Sequence, residues 1–204
     1  EGPLLVLAGA GSGKTRVLTY RIAYLLAQGV PPGAILAVTF TNKAAEEMRS
    51  RVVALVGAVA EKIWVGTFHA TCARILRADG KEIGIDPRFV IYDIQDQVAA
   101  VKEALAKLEL SEKDFPPRSV LASISAAKNA LVDPAAYERK ALTFREQTVA
   151  RLYPVYQEIL RRCRALDFDD LLVETVRLFR TRPEVLRRYQ DRWRYILIDE
   201  YQDT

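Results

Sequence analysis

Apolar residues form short continuous runs near the two ends of this chain and recur at helical spacing through its middle. Leu4-Leu5-Val6-Leu7 is the first run, followed by the glycine-dense stretch Ala8-Gly9-Ala10-Gly11-Ser12-Gly13. Val17, Leu18, Ile22, Leu25 and Leu26 then fall on one helical face, and Gly29 with Pro31-Pro32 marks the stop. Residues 35–40 form a second run, which leads into Thr41-Asn42, capping types at the head of another helical pattern. Ile63-Trp64-Val65 and Phe89-Val90-Ile91-Tyr92 complete the series, with a helical pattern over 68–79 between them. Apolar runs alternating with helices predict an α/β fold, a parallel sheet covered by helices on both faces.

From residue 94 the pattern changes. Residues 95–108, 119–131 and 144–165 read as amphipathic helices, separated by Phe115-Pro116-Pro117 and Asp133-Pro134, and Pro154 is expected to kink the last. A further helix after Asp167 precedes Tyr195-Ile196-Leu197-Ile198, another buried strand. The expected organisation is therefore a first α/β segment over 1–93, an all-helical insertion over 94–165, and a return segment over 166–204. The opening on Glu1 and the stop just after this last strand suggest a fragment of something larger.

The glycine-dense stretch ends in Lys14-Thr15. A strand, such a loop and a helix N-terminus aim backbone N–H groups at one point and suit the anionic phosphates of a nucleotide. In that geometry Lys14 reaches the β- and γ-phosphates and Thr15 supplies a hydroxyl to Mg²⁺. Ala8 stands where the usual pattern has glycine. The last apolar run ends in Asp199-Glu200, where the first carboxylate can hold magnesium and the second can activate water. The pair of motifs points to a nucleoside triphosphate, Mg²⁺ and hydrolysis, and requires Lys14 and Asp199 to converge.

Composition narrows the setting. Of 204 residues, 50% are hydrophobic and 27% charged, a profile able to bury a core. No segment approaches the roughly 20 apolar residues of a membrane span, so no membrane partner is expected. Two distant cysteines and one histidine offer no zinc spacing, and a reducing cytosol is the expected location. The net charge of +4 leans toward an anionic partner. Many arginines near residues 161–194 are matched by acids, Asp167, Asp169 and Asp170 among them, and that helix is expected to present a solvated face.

Two more strand-to-helix corners, Thr39-Phe40-Thr41-Asn42-Lys43-Ala44-Ala45 and Gly66-Thr67-Phe68-His69, place aromatic rings beside small polar donors. At the carboxyl edge of an open parallel sheet, this combination suits single-stranded nucleic acid. Together with the loop at 8–15, Leu166-Asp167-Phe168-Asp169-Asp170-Leu171 and Asp199-Glu200-Tyr201-Gln202-Asp203-Thr204, these motifs occur in an order that resembles the UvrD/PcrA/Rep group of superfamily 1 DNA helicases. The likeness covers essentially the whole chain, including Ser125-Ala126-Ala127-Lys128-Asn129.

The resemblance implies a RecA-like ATPase domain (1A) carrying a helical subdomain (1B), and ATP-driven 3′→5′ movement along single-stranded DNA. It implies ATP and Mg²⁺ as cofactors. Nucleotide contacts would come from residues 8–15 and Arg16, magnesium contacts from Thr15 and Asp199, and catalysis from Lys14, Asp199 and Glu200, with Gln202 coupling the nucleotide site to DNA. Phe40, Thr41, Asn42, Thr67 and His69 would line the DNA path, and Lys128 would add a phosphate contact. Partners would be single-stranded DNA, single-strand/duplex junctions and C-terminal domains 2A and 2B. Without a second RecA-like domain the chain is expected to bind ATP weakly and hydrolyse it scarcely at all. The alternatives are the ATPase portion of a helicase-nuclease, a P-loop ATPase acting on protein partners, and a non-enzymatic DNA-binding module.

Overall fold

The computed structural model describes residues 2–7, 9 and 13–203, Asp203 by its backbone alone. In chain order the elements are α1 (Lys14–Ala27), β1 (Ile35–Thr39), α2 (Asn42–Val56), β2 (Trp64–Thr67), α3 (Phe68–Asp79), β3 (Val90–Ile91), α4 (Ile94–Lys107), α5 (Pro117–Asn129), α6 (Pro134–Lys140), α7 (Phe144–Arg162), β4 (Ala165–Leu166), α8 (Phe168–Thr181), α9 (Pro183–Arg192) and β5 (Tyr195–Ile198). They divide into two compact units, one of residues 1–71 and 183–204, the other of residues 72–182. These boundaries lie outside the expected 94–165.

The first unit is built on a parallel sheet of order β2-β1-β5. β1 is its middle strand and all five of its residues are buried, as a continuous apolar run requires. Register aligns Ala37 with both Val65 and Leu197. Alternation along each strand therefore puts Ile35, Ala37, Val65 and Leu197 on one face. Ile22 and Leu25 of α1 and Met48 and Val52 of α2 pack against that row. α1 ends through Gly29, whose φ of 82° is the left-handed conformation of a helix stop. α2 begins at Thr41, whose hydroxyl accepts the Ala44 N–H at 3.1 Å.

The run Leu4–Leu7 departs from expectation. It belongs to no strand, and Leu4, Leu5 and Leu7 are exposed. β5 is left as a sheet edge among the described residues, with Ile196 58% exposed.

The second unit is mostly helical. Val101 and Leu105 of α4, Val120 and Ile124 of α5, and Leu152, Tyr156 and Ile159 of α7 form its core. The expected fourth strand exists only as the two residues of β3, which pair in parallel with β4 in a separate sheet. A strand thus also appears at 165–166, where the helix expected over 144–165 was to end. Asp133-Pro134, read as a break, starts α6 instead: Asp133 caps the helix and Pro134 occupies its first turn. α7 continues through Pro154. The single helix expected after Asp167 is two, α8 and α9, parted at Arg182-Pro183.

Candidate functional site

The site in the first unit begins with what α1 lacks. Gly13 stands at its N-cap with φ 87°, a conformation glycine adopts without a Cβ penalty. Among the described residues no side chain caps the helix, and its first turn holds no acid. The positive end of its dipole is therefore offset by no acid in that turn and suits an anion. The Lys14 ammonium lies there, donating to the Gly9 carbonyl at 3.3 Å. Ala8, Ala10, Gly11 and Ser12 fall outside the described residues.

β5 delivers the second half. Its pairing with β1 continues one step past Ile198, as the Asp199 N–H donates to the Val38 carbonyl at 3.0 Å. Asp199 is buried, and its Oδ2 accepts the Thr15 hydroxyl at 2.9 Å across a sequence separation of 184. The other oxygen, Oδ1, accepts the Glu200 N–H at 3.1 Å. A hydroxyl and a carboxylate side by side, at an anion-receptive helix end, form an oxygen donor set of the kind Mg²⁺ takes. Glu200 follows with φ 52°, a left-handed conformation that is costly for a residue with a side chain. It is exposed, and Gln202 Nε2 donates to its carboxylate. Arg16 is exposed, its guanidinium 5.3 Å from the centre of the Tyr20 ring.

The aromatic corners sit on the same sheet edge. Thr39 and Thr67 are register partners at the carboxyl ends of β1 and β2, so the next residues, Phe40 and Phe68, emerge side by side. Their ring centres are 5.4 Å apart and tilted by 59°. Phe40 is exposed; Phe68 and His69 are half-buried. Thr41 and Asn42 are exposed as well. Thr67 is not: it is buried, and its hydroxyl accepts the Ala70 N–H at 3.1 Å, a helix-capping role.

Lys128 requires a correction. It lies in the second unit with 1% of its side chain exposed, and its ammonium is 2.6 Å from Asp167 Oδ2 and 2.7 Å from Asp170 Oδ1. A cation so enclosed and doubly paired is not presented to a DNA phosphate. Asp167 and Asp170 are likewise buried rather than on a solvated face. The Tyr156 hydroxyl donates to Asp167 at 2.8 Å, and Gln157 Nε2 to Asp170 at 3.3 Å. Burial pushes the Asp170 carboxyl up to about 6 against the downward pull of Lys128, and burial also raises the Tyr156 phenol. The sequence offered one signal for this cluster, three aspartates set among leucines and phenylalanine at 166–171.

The family model described as UvrD/REP helicase N-terminal domain matches residues 1–204. The chain is 53% identical over 205 aligned residues to the ATP-dependent DNA helicase PcrA of Staphylococcus aureus, and 51% to that of Bacillus subtilis. It is 52% identical to that of Staphylococcus epidermidis. Each alignment takes in 100% of this chain and 28% of the relative. The chain therefore belongs to the UvrD/REP helicase N-terminal domain family.

Proposed function

We propose that this chain is the nucleotide-binding and strand-contacting portion of an ATP-dependent 3′→5′ DNA helicase. The hydrogen bond from Thr15 to Asp199 carries the reading, because it joins the two sequence motifs that must share one Mg·ATP. The N-terminus of α1 and Lys14 bind the phosphates, together with residues 8–13, and Arg16 lies near them. Thr15 and Asp199 hold Mg²⁺, which would supply charge neutralisation at the phosphate oxygens. Glu200 accepts the proton of the attacking water, and its strained backbone with the Gln202 contact fixes where that carboxylate stands. Gln202 links this carboxylate to the DNA side of the edge.

Single-stranded DNA runs over Phe40 and Phe68, which stack on bases, with Thr41, Asn42 and His69 donating to the backbone. Thr67 shapes this path through its cap. In this reading the first unit is a RecA-like domain and the helical unit its inserted subdomain. The remaining length of the relatives corresponds to partner domains that complete the motor in the bacterial cytosol. Among the described residues no helix is long and apolar enough to cross a membrane.

The test is binding of a fluorescent ATP analogue to the chain, with and without Mg²⁺, and of a single-stranded oligonucleotide. Magnesium-dependent nucleotide binding that Lys14→Ala removes is the expected result, with steady-state hydrolysis close to background. Nucleotide binding indifferent to both Mg²⁺ and Lys14 would overturn the assignment.

A further inference from the structure

The second unit contains a cavity of about 330 Å³, between residues 83–89, the last turns of α7 and the first turns of α8. That volume lies in the range of small-ligand pockets. Ile85, Phe89 and Leu160 give it apolar walls. Its polar members differ sharply in exposure: Asp170 is buried, Gln157 half-buried, and Arg161 and Arg164 exposed.

Gln157 supplies the specific clue. Its Nε2 must face Asp170, since a carboxylate paired to Lys128 can only accept. This fixes the amide, and its Oε1 is left buried with no hydrogen-bond partner among the described residues. Such an acceptor calls for a donor from outside the protein. A neutral N–H suits it better than an ammonium, which would stand close to the Lys128 charge.

The exposed end supplies the second clue. Arg164 pairs with Asp86 at 3.4 Å, and Arg177 pairs with Glu174 while donating to the Ile83 carbonyl at 3.1 Å. The Arg161 side chain has no hydrogen bond or ion pair among the described residues, although it lines the same cavity. A ligand with a neutral N–H donor, a flat apolar body and an anionic group would meet all three features.

We propose that this cavity binds a nucleoside monophosphate group, its base between Ile85, Phe89 and Leu160 with an N–H donating to Gln157 Oε1, and its phosphate at Arg161. The group is either a free nucleotide or one unstacked residue of a strand. The site shares no residue with the nucleotide and strand contacts of the first unit.

The test is calorimetric titration of the chain with deoxyadenosine monophosphate, deoxyribose 5-phosphate and inorganic phosphate, each repeated on Lys14→Ala. Saturable binding of the nucleotide that survives Lys14→Ala and weakens about tenfold in Arg161→Ala is expected, as for loss of one charged hydrogen bond. Arg161 is exposed, so its removal leaves the fold intact. Gln157→Leu, checked for native circular dichroism, weakens the nucleotide and leaves deoxyribose 5-phosphate unchanged. A short single strand with 2-aminopurine replacing an internal adenine separates the sources. An Arg161-dependent fluorescence rise assigns the site to the strand, and calorimetric binding alone assigns it to a free nucleotide. The proposal fails if nucleotide binding vanishes with Lys14→Ala, if phosphate alone binds as tightly as the nucleotide, or if neither probe binds.

Discussion

The Thr15 hydroxyl and the Asp199 carboxylate meet at 2.9 Å from opposite ends of the chain, one on the first turn of α1 and the other just past β5. Removing either partner separates stability from metal binding. A hydrogen bond to a carboxylate contributes about 1.5–3 kcal/mol to folding, a fraction of a domain's stability, so Thr15→Val and Asp199→Asn should both remain folded. Both should reduce nucleotide affinity in Mg²⁺ to the level seen in EDTA. Titration of a fluorescent ATP analogue under the two conditions measures this, and a retained magnesium response in Asp199→Asn would contradict the donor set.

Phe40 and Phe68 offer stacking surface without charge. Base stacking on one aromatic ring contributes about 1–3 kcal/mol. Phe40→Ala should therefore weaken oligonucleotide binding by roughly ten- to a hundredfold at every salt concentration. The slope of log affinity against log salt should not change, because no phosphate contact is lost. Fluorescence anisotropy at several ionic strengths reads both quantities, and an altered slope with unchanged affinity would argue against stacking.

The meeting of Thr15 and Asp199 was legible in the sequence, because a lysine-threonine pair at a helix start and an acidic strand end each encode local geometry. Register then did the rest: β1 pairing with both β2 and β5 brought Asp199, Phe40 and Phe68 to one edge. Lys128 was not legible. Its spacing on α5 is that of any helical lysine, and its burial depends on the carboxylates of Asp167 and Asp170 at the head of α8, far along the chain. Phe89–Tyr92 and Leu4–Leu7 misled for a related reason. An apolar run states that burial is available, while a strand also needs a neighbour with free backbone groups. Val90 and Ile91 find one in β4, and Leu4–Leu7 pairs with no strand among the described residues.

That unpaired run has a consequence for the chain in solution. Leu7 is 86% and Leu4 80% exposed, and among the described residues β5 presents Ile196 at an open sheet edge. Open apolar edges associate. The chain should self-associate with rising concentration, and Ile196→Lys should shift it toward monomer with little change in thermal stability. Sedimentation velocity over a concentration series measures this; equal association of the two proteins would place the contact elsewhere.

The buried cluster of the second unit should be sensitive to loss of the Lys128 ammonium. Lys128→Met leaves Asp167 and Asp170 facing each other without a counter-charge. Breaking a buried pair in this way costs about 3–5 kcal/mol. Urea denaturation at neutral pH should show the loss, and Lys128→Met should recover part of it as the pH is lowered and a carboxylate takes up a proton. A loss that does not depend on pH would mean that packing, not charge, is what the lysine provides.

Asp170 gives the wild-type chain a pH dependence of its own. Burial pushes its carboxyl up to about 6, whereas an unfolded aspartate titrates near ~3.9. Between those values the folded chain holds a proton that the unfolded chain has released. Stability from this group therefore increases as pH falls through about 6 toward 4, and it is lost as pH rises through the folded value. Asp170→Asn keeps an acceptor for Lys128 and removes the titration. The urea midpoint of wild type relative to Asp170→Asn should accordingly be higher at pH 5 than at pH 7. A difference that runs the other way would mean that Lys128, at 2.7 Å, outweighs burial and holds the carboxylate ionised throughout.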